Sequence, residues 1–111
     1  MREGPSICSL RADLFWLLGC PMRVRILDLL SDGGERTVGH LRAAPGLESS
    51  RTSEHVMTMR TRGLLESRRH GPNVFYSAKD PRVFELLELA SEVLQTRDEL
   101  GASRPSGSPT G

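Results

Sequence analysis

The segment from Leu47 to Asp80 constrains the fold of this chain more than any other part of the sequence. Within it, Thr52, Val56 and Met59 recur with the i, i+4, i+7 spacing that places side chains on one face of a helix. Gly63 then interrupts the pattern, as glycine often does where a helix ends. The spacing predicts a short helix that buries this face and exposes the other.

The rest of the sequence completes a pattern of helices around one hairpin. A basic turn, His70-Gly71-Pro72-Asn73, separates two runs that have the composition of short strands. Prolines or small polar residues precede most of the other helical stretches, and glycines follow several of them. Thr37 is expected to cap the third helix. The predicted helices span 9–18, 21–32, 37–44, 49–62 and 81–97, and the predicted strands span 64–69 and 74–78. This order is typical of a mainly α-helical (α+β) fold, a winged helix-turn-helix flanked by terminal helices.

Composition divides the chain into one folded domain and two unstructured ends. Residues 1–7 are expected to be a flexible N-terminus and residues 8–98 to form the folded domain. Residues 99–111, rich in glycine, serine and proline, are expected to be a disordered tail. No apolar run approaches the roughly 20 residues that a membrane-spanning helix needs, so we expect a cytoplasmic protein.

The charge of the chain is unevenly distributed. The formal net charge is only +1, which alone gives no reason to expect a nucleic-acid partner. Between Arg51 and His70, however, five arginines and two glutamates leave a local charge of +3. Between Asp80 and Glu99, six acids and two arginines leave −4. The positive half coincides with the predicted helix and hairpin, so this unit is expected to face DNA while the acidic last helix points away.

Five motifs in order give the chain its resemblance to a known family. They are LFWLLGCPMRVRILDLLSDG, TVGHL, the Ser53-Glu54-His55 run with Met59-Arg60, GLLESRRHG and VFYSAKDP. Together they cover about Leu14 to Leu94, and the chain resembles the ArsR/SmtB family of dimeric bacterial transcription regulators. The resemblance implies a homodimer built on the first and last helices, with recognition helices in successive major grooves of a double-stranded operator. The last helix favours this, because its apolar residues cover more than one face.

The resemblance also assigns DNA contacts to particular positions. They are Ser49, Ser50, Arg51, Ser53 and His55 on the recognition helix, with Arg68 and Arg69 on the wing. Each position has a second interpretation. Arg51 could read a guanine or only hold a phosphate, the serines could cap their helix, and His55 could be bonded within its own motif. Arg68 and Arg69 are consecutive on a strand and point to opposite faces, so one is expected to meet DNA and the other to pair with an acid.

The metal sites of the family are largely absent from this sequence. Thr37 and Gly39 stand where the resemblance implies paired cysteines, and the positions of the interface zinc site are Asp80, Arg82, Val93 and Thr96. One carboxylate cannot build a tetrahedral site. A non-standard site for nickel, zinc or copper would draw on Cys8, Cys20 and His40, together with a second protomer.

Other functions stay open at this stage. Cys8 and Cys20 could form a thiol redox sensor, although a buried cysteine that acts as a small hydrophobe is the favoured interpretation. A partner protein could supply the sensing that this chain lacks. The main alternative is a winged-helix module that binds an acidic protein, which the near-neutral charge and Glu48 and Glu54 favour. No phosphate-binding loop, paired-carboxylate motif or metalloenzyme motif is present, so we expect no enzyme.

Overall fold

The observed secondary structure follows the predicted order. The structure, a computed structural model, describes residues 6–47 and 49–101. Its elements are α1 (Ile7–Leu18), α2 (Pro21–Leu29), α3 (Val38–Arg42), α4 (Ser49–Thr61), β1 (Leu65–His70), β2 (Asn73–Ala78) and α5 (Arg82–Gly101). Most of the ends that were predicted to be flexible or disordered, at 1–7 and 99–111, lies outside the described residues. The chain divides into two compact units, which meet in sequence at Asp80 and Pro81.

Capping side chains explain where two of the helices begin. The Ser6 hydroxyl accepts the backbone N–H of Ser9 at 3.0 Å, so α1 begins at Ile7, two residues before the predicted start. The Thr37 hydroxyl accepts the N–H of His40 at 3.1 Å and caps α3, as predicted. Cys20 occupies the same position before α2 and makes no such bond, so the first turn of α2 begins without a side-chain cap.

Helix α2 ends three residues before its predicted end. The N–H of Leu30 already bonds the carbonyl of Leu27, and the Ser31 hydroxyl donates to the carbonyl of Asp28 at 2.7 Å. Gly33 then adopts a positive φ of 84°, which closes the turn and which most L-residues disfavour. The sequence pattern continued to Asp32, but this tightened turn had already ended the α-helix.

The core of the first unit lies between the helices α1 to α4 and the hairpin. Its large side chains come from every one of these elements, and the fully or nearly fully buried ones are Leu17, Ile26, Leu27, Leu30, Leu41, Val56, Met59 and Leu65. Burial of each such side chain contributes about 1.5–3 kcal/mol relative to exposure. The hydrophobic contacts of α4 therefore fix the orientation of its other face.

The hairpin pairs in antiparallel register, with Leu65 opposite Ala78 and His70 opposite Asn73. A third backbone segment joins it at one isolated bridge. The N–H of Arg36 donates to the carbonyl of Tyr76 at 3.0 Å, and the N–H of Tyr76 donates back at 2.8 Å. This bridge attaches the loop before α3 to the wing, and no pattern in the sequence predicted it.

Within the described residues, the second unit consists of the single helix α5. It extends to Gly101, four residues beyond the predicted Arg97. Its apolar side chains at Leu86, Leu89, Val93 and Leu94 are exposed. In the first unit, α1 likewise exposes Ile7, Leu10, Phe15 and Trp16. Among the described helices, none is both long enough and apolar enough to cross a membrane.

Candidate nucleic-acid interface

Helix α4 buries the face that its sequence spacing predicted. Thr52, Val56 and Met59 have no exposed surface. Because these residues lie at i, i+4 and i+7, they share one face and pack into the core along most of the helix. The opposite face is held outward by the same packing, so its side chains are presented on a rigid element and not on a loop.

The outward face near the start of α4 carries short polar groups around one arginine. Ser50, Arg51, Ser53 and Glu54 are all exposed. The Arg51 side chain is 58% exposed, and its Nε lies 3.7 Å from Glu54 Oε1, a loose surface ion pair. The guanidinium can therefore exchange this partner for a phosphate or a guanine. The Ser49 side chain lies outside the part of the chain that the structure describes.

His55 is not part of this exposed face. It is only 8% exposed, and its Nδ1 lies 3.4 Å from Nη1 of Arg23. Because a guanidinium only donates, Nδ1 is the acceptor, and a neutral ring carries its proton on Nε2. The assignment of His55 to DNA contact is corrected by this burial: the packing of α4 on α2 places the ring in the interior. The partner of Nδ1, Arg23, lies on α2 and outside the Ser53-Glu54-His55 run, so this bond is not one within the motif of His55.

Arg23 is a structural residue that the sequence motifs did not single out. Arg23 is 9% exposed, and its Nε donates to the carbonyl of Leu17 at 2.6 Å. Its guanidinium carbon lies 4.9 Å from the centroid of the Trp16 ring. Arg23 therefore supplies a donor to a backbone carbonyl at the end of α1, and it contacts His55 on α4. Its spacing to Ile26 and Leu30, on the apolar face of α2, was the signal that could have identified it.

The two arginines of the wing have different surroundings. Arg68 donates from Nε and Nη2 to the two carboxylate oxygens of Glu35, at 2.9 and 2.7 Å, and lies over the ring of Phe75 at 5.3 Å. The hydrogen bond from Arg68 lowers the pKa of Glu35, and the same bond raises the pKa of Arg68. Arg69 is exposed, with no ion pair among the described residues. This confirms that one of the two arginines pairs with an acid.

Two contacts join α4 to the wing. Arg60 Nε donates to Ser67 Oγ at 3.1 Å, and the Tyr76 hydroxyl lies 4.0 Å from the sulfur of Met57. The second half of α4 therefore packs against the hairpin, and both the polar start of α4 and Arg69 on β1 are exposed.

The candidate metal ligands are not brought together within one protomer. Cys8 is exposed, Cys20 is half-buried, and both are free thiols. His40 is exposed on α3. Among the described residues, no group of three or more histidines, cysteines, aspartates or glutamates could hold a metal ion.

The helices of the first unit and the wing define a winged helix-turn-helix, with α4 as the recognition helix. The comparisons with known proteins agree. The model of the arsR family of bacterial regulatory proteins matches residues 20–67. The HTH-type transcriptional regulator Rv0081 of Mycobacterium tuberculosis is 39% identical over 93 residues, 83% of this chain and 81% of that protein. Its crystal structure has a TM-score of 0.77 and 35% identity, and the match covers 90% of this chain and 100% of that one.

Two further relatives are informative. A transcriptional repressor SmtB homolog from Synechocystis is 33% identical over 99 residues, 85% of this chain and 74% of that protein. The solution structure of a homodimeric winged helix-turn-helix DNA-binding domain, Mb0332 from Mycobacterium bovis, has a TM-score of 0.67 at 25% identity. That match covers 96% of this chain and 100% of the other. The chain belongs to the ArsR family and is a DNA-binding transcriptional regulator of the ArsR/SmtB type.

Proposed function

We propose that this regulator binds a near-palindromic promoter site as a homodimer in the cytoplasm, with the outward face of α4 in the major groove. The observation that carries the proposal is the exposed set Ser50, Arg51 and Ser53, fixed by a fully buried opposite face. Short hydroxyls and one guanidinium can donate to base edges and to phosphates. Ser49, at the start of the same helix, completes the proposed set. The proposal includes no enzymatic activity.

The wing supplies the second part of the interface. Arg69 is exposed on β1, where it can neutralise a phosphate that flanks the groove, whereas Arg68 is occupied by Glu35. Phosphate contacts give affinity without sequence information, so Arg69 contributes strength and α4 contributes specificity.

The dimer is supported by apolar surface that a single copy leaves exposed. Phe15 and Trp16 on α1 are 59% and 58% exposed, and Leu89 and Val93 on α5 are 56% and 55% exposed. Exposed apolar side chains on each of these helices favour an interface with a second copy. A two-fold dimer would place its half-sites about one helical turn, roughly 34 Å, apart.

A binding titration against the upstream DNA of its own gene tests this function. The expected result is tight binding of one dimer per site, weaker binding of a shuffled duplex, and steep loss of affinity between low and physiological salt. Equal affinity for the two duplexes would contradict sequence-specific recognition. If neither duplex binds and an acidic protein is retained instead, the winged helix-turn-helix serves as a protein-binding module.

Effector sensing is a separate proposal. A transition metal such as nickel, zinc or copper would need Cys8, Cys20 or His40 from more than one protomer, and a redox signal would need the two thiols. Calorimetry with each metal, with and without reductant and alongside operator titration, distinguishes the two. If neither changes operator affinity, the proposal of sensing by this chain fails, and a partner protein becomes the candidate sensor.

A further inference from the structure

Met57 is the apolar side chain on the outward face of the recognition helix. It follows Ser50 by seven residues and Glu54 by three, so it shares their side of α4. Met57 is 45% exposed, whereas the other methionine of α4, Met59, is fully buried. Among the described side chains of α4, it is the exposed large hydrophobic one. An apolar group in this position is not required by the core of the fold.

The sulfur of Met57 contacts the wing. The hydroxyl of Tyr76 lies 4.0 Å from Met57 Sδ, and Tyr76 is itself 8% exposed and fixed by its backbone bridge to Arg36. A free methionine would lose considerable rotamer entropy when it is immobilised at an interface. The contact with Tyr76 favours one position of the sulfur before any ligand arrives, so part of that entropy is already lost before binding.

The polar surroundings of Met57 indicate what it contacts. Ser50, Ser53, Glu54 and Thr61 are exposed on the same helix, so Met57 is one apolar group in a polar surface and not part of an apolar patch of the kind that marks protein interfaces. In the major groove, the 5-methyl group of thymine is the apolar feature among the donors and acceptors of the bases. The thioether of Met57 has no hydrogen-bond donor, so it cannot donate to the acceptors on the bases.

We propose that Met57 determines part of the operator specificity by contacting the 5-methyl group of a thymine in each half-site. The inference rests on the proposed placement of α4 in the major groove. It adds a base preference that the serines and Arg51 cannot supply, because they recognise hydrogen-bonding groups.

Deoxyuridine in place of thymine removes this methyl group and leaves the hydrogen-bonding edges unchanged. The experiment measures affinity for the footprinted operator with each half-site thymine replaced in turn by deoxyuridine, and for a control operator with deoxyuridine only outside the half-sites. For the wild type, the expected result is a loss of about fourfold per contacted methyl at one symmetric position. Met57→Ala is expected to bind the thymine and deoxyuridine operators equally, and Met57→Leu to retain a preference for thymine.

Several results would overturn the proposal. They are a wild type that is insensitive to deoxyuridine at every half-site position, an operator without thymine in either half-site, and a Met57→Ala variant that keeps the full wild-type loss. The wild-type measurements test the proposal even if Met57→Ala does not fold. If the wild type does not bind the unmodified operator, the proposed function itself fails, so the two failures are distinguishable.

Discussion

Glu35 and Arg68 form a bidentate ion pair, in which both carboxylate oxygens accept from the guanidinium at 2.7 and 2.9 Å. The pair joins the loop before α3 to β1 of the wing. It also gives Arg68 an intramolecular anion as its partner, and we predict that Glu35 competes with DNA for this side chain.

Removal of the Glu35 charge is predicted to strengthen non-specific DNA binding. In Glu35→Gln, Arg68 loses its carboxylate partner and can neutralise one more phosphate per protomer. The slope of log affinity against log salt on a random duplex should then steepen by about 1 for each protomer bound. Glu66→Gln, which removes an exposed charge from the same strand, is the control. Equal slopes for the two variants would show that general charge, and not the release of Arg68, causes the effect.

The pair of Glu35 and Arg68 also predicts that the pKa of the Glu35 carboxyl is lowered. Its pKa is lowered from 4.5, first by the hydrogen bond from Arg68 and then by its positive charge. Because the folded-state pKa is depressed, the stabilisation is present above the ordinary pKa and is lost as the pH falls through the folded value. NMR titration of the Glu35 carboxyl should give a midpoint below 4.5 in the wild type and a return toward it in Arg68→Ala. An unchanged midpoint in that variant would exclude Arg68 as the cause.

Loss of the Arg23 guanidinium is predicted to destabilise the fold. Arg23→Met keeps most of the apolar stem but leaves the Leu17 carbonyl without its donor at 2.6 Å, which costs about 1–3 kcal/mol of the free energy of unfolding. Arg25→Met is the matched control, because Arg25 bonds the carbonyl of Pro45 at the surface and at 3.3 Å. Arg25→Met should change the free energy of unfolding by no more than about 0.5 kcal/mol. Urea unfolding of both variants checks this, and equal losses would contradict the proposed role of Arg23.

A cap at Cys20 is predicted to stabilise the protein. Cys20 has the extended backbone of an N-cap, with φ −135° and ψ 121°, but makes no side-chain cap bond. A hydroxyl in Cys20→Ser can accept from the first turn of α2 and should add about 0.5–1 kcal/mol to the free energy of unfolding. Thr37→Ala, which removes an existing cap, should lower it by about 0.5–2 kcal/mol. If Cys20→Ser is less stable than the wild type, the packing of the thiol outweighs the missing cap.

The sequence predicted the parts of this structure that depend on local spacing and turn chemistry. The inward face of α4, the hairpin around Gly71 and the Thr37 cap all follow from residues that are close along the chain. The split between Arg68 and Arg69 followed from the alternation of side chains along a strand. The sequence did not predict which of the two arginines pairs with an acid, because Glu35 lies 33 residues away from Arg68 along the chain.

Contacts between distant segments account for what the sequence did not predict. The buried ring of His55 accepts a hydrogen bond at Nδ1 from Arg23 on α2, a pairing across 32 residues that no local pattern encodes. The bridge between Arg36 and Tyr76 is likewise a tertiary backbone contact. Helix ends shifted by a few residues where a cap or a positive-φ glycine outweighed the apolar periodicity, as at Ser6 and Gly33.

The most direct test of DNA recognition by α4 measures the affinity of Arg51→Ala for the operator and for a random duplex at one salt concentration. If Arg51 reads a base from the exposed face of α4, operator affinity should fall roughly 5- to 150-fold, with a smaller loss on the random duplex. Arg11→Ala, an exposed arginine on α1, controls for the loss of one positive charge. Equal losses of affinity for both duplexes would show that Arg51 contacts a phosphate and does not read a base. Unchanged binding to both would contradict the placement of this face of α4 against DNA.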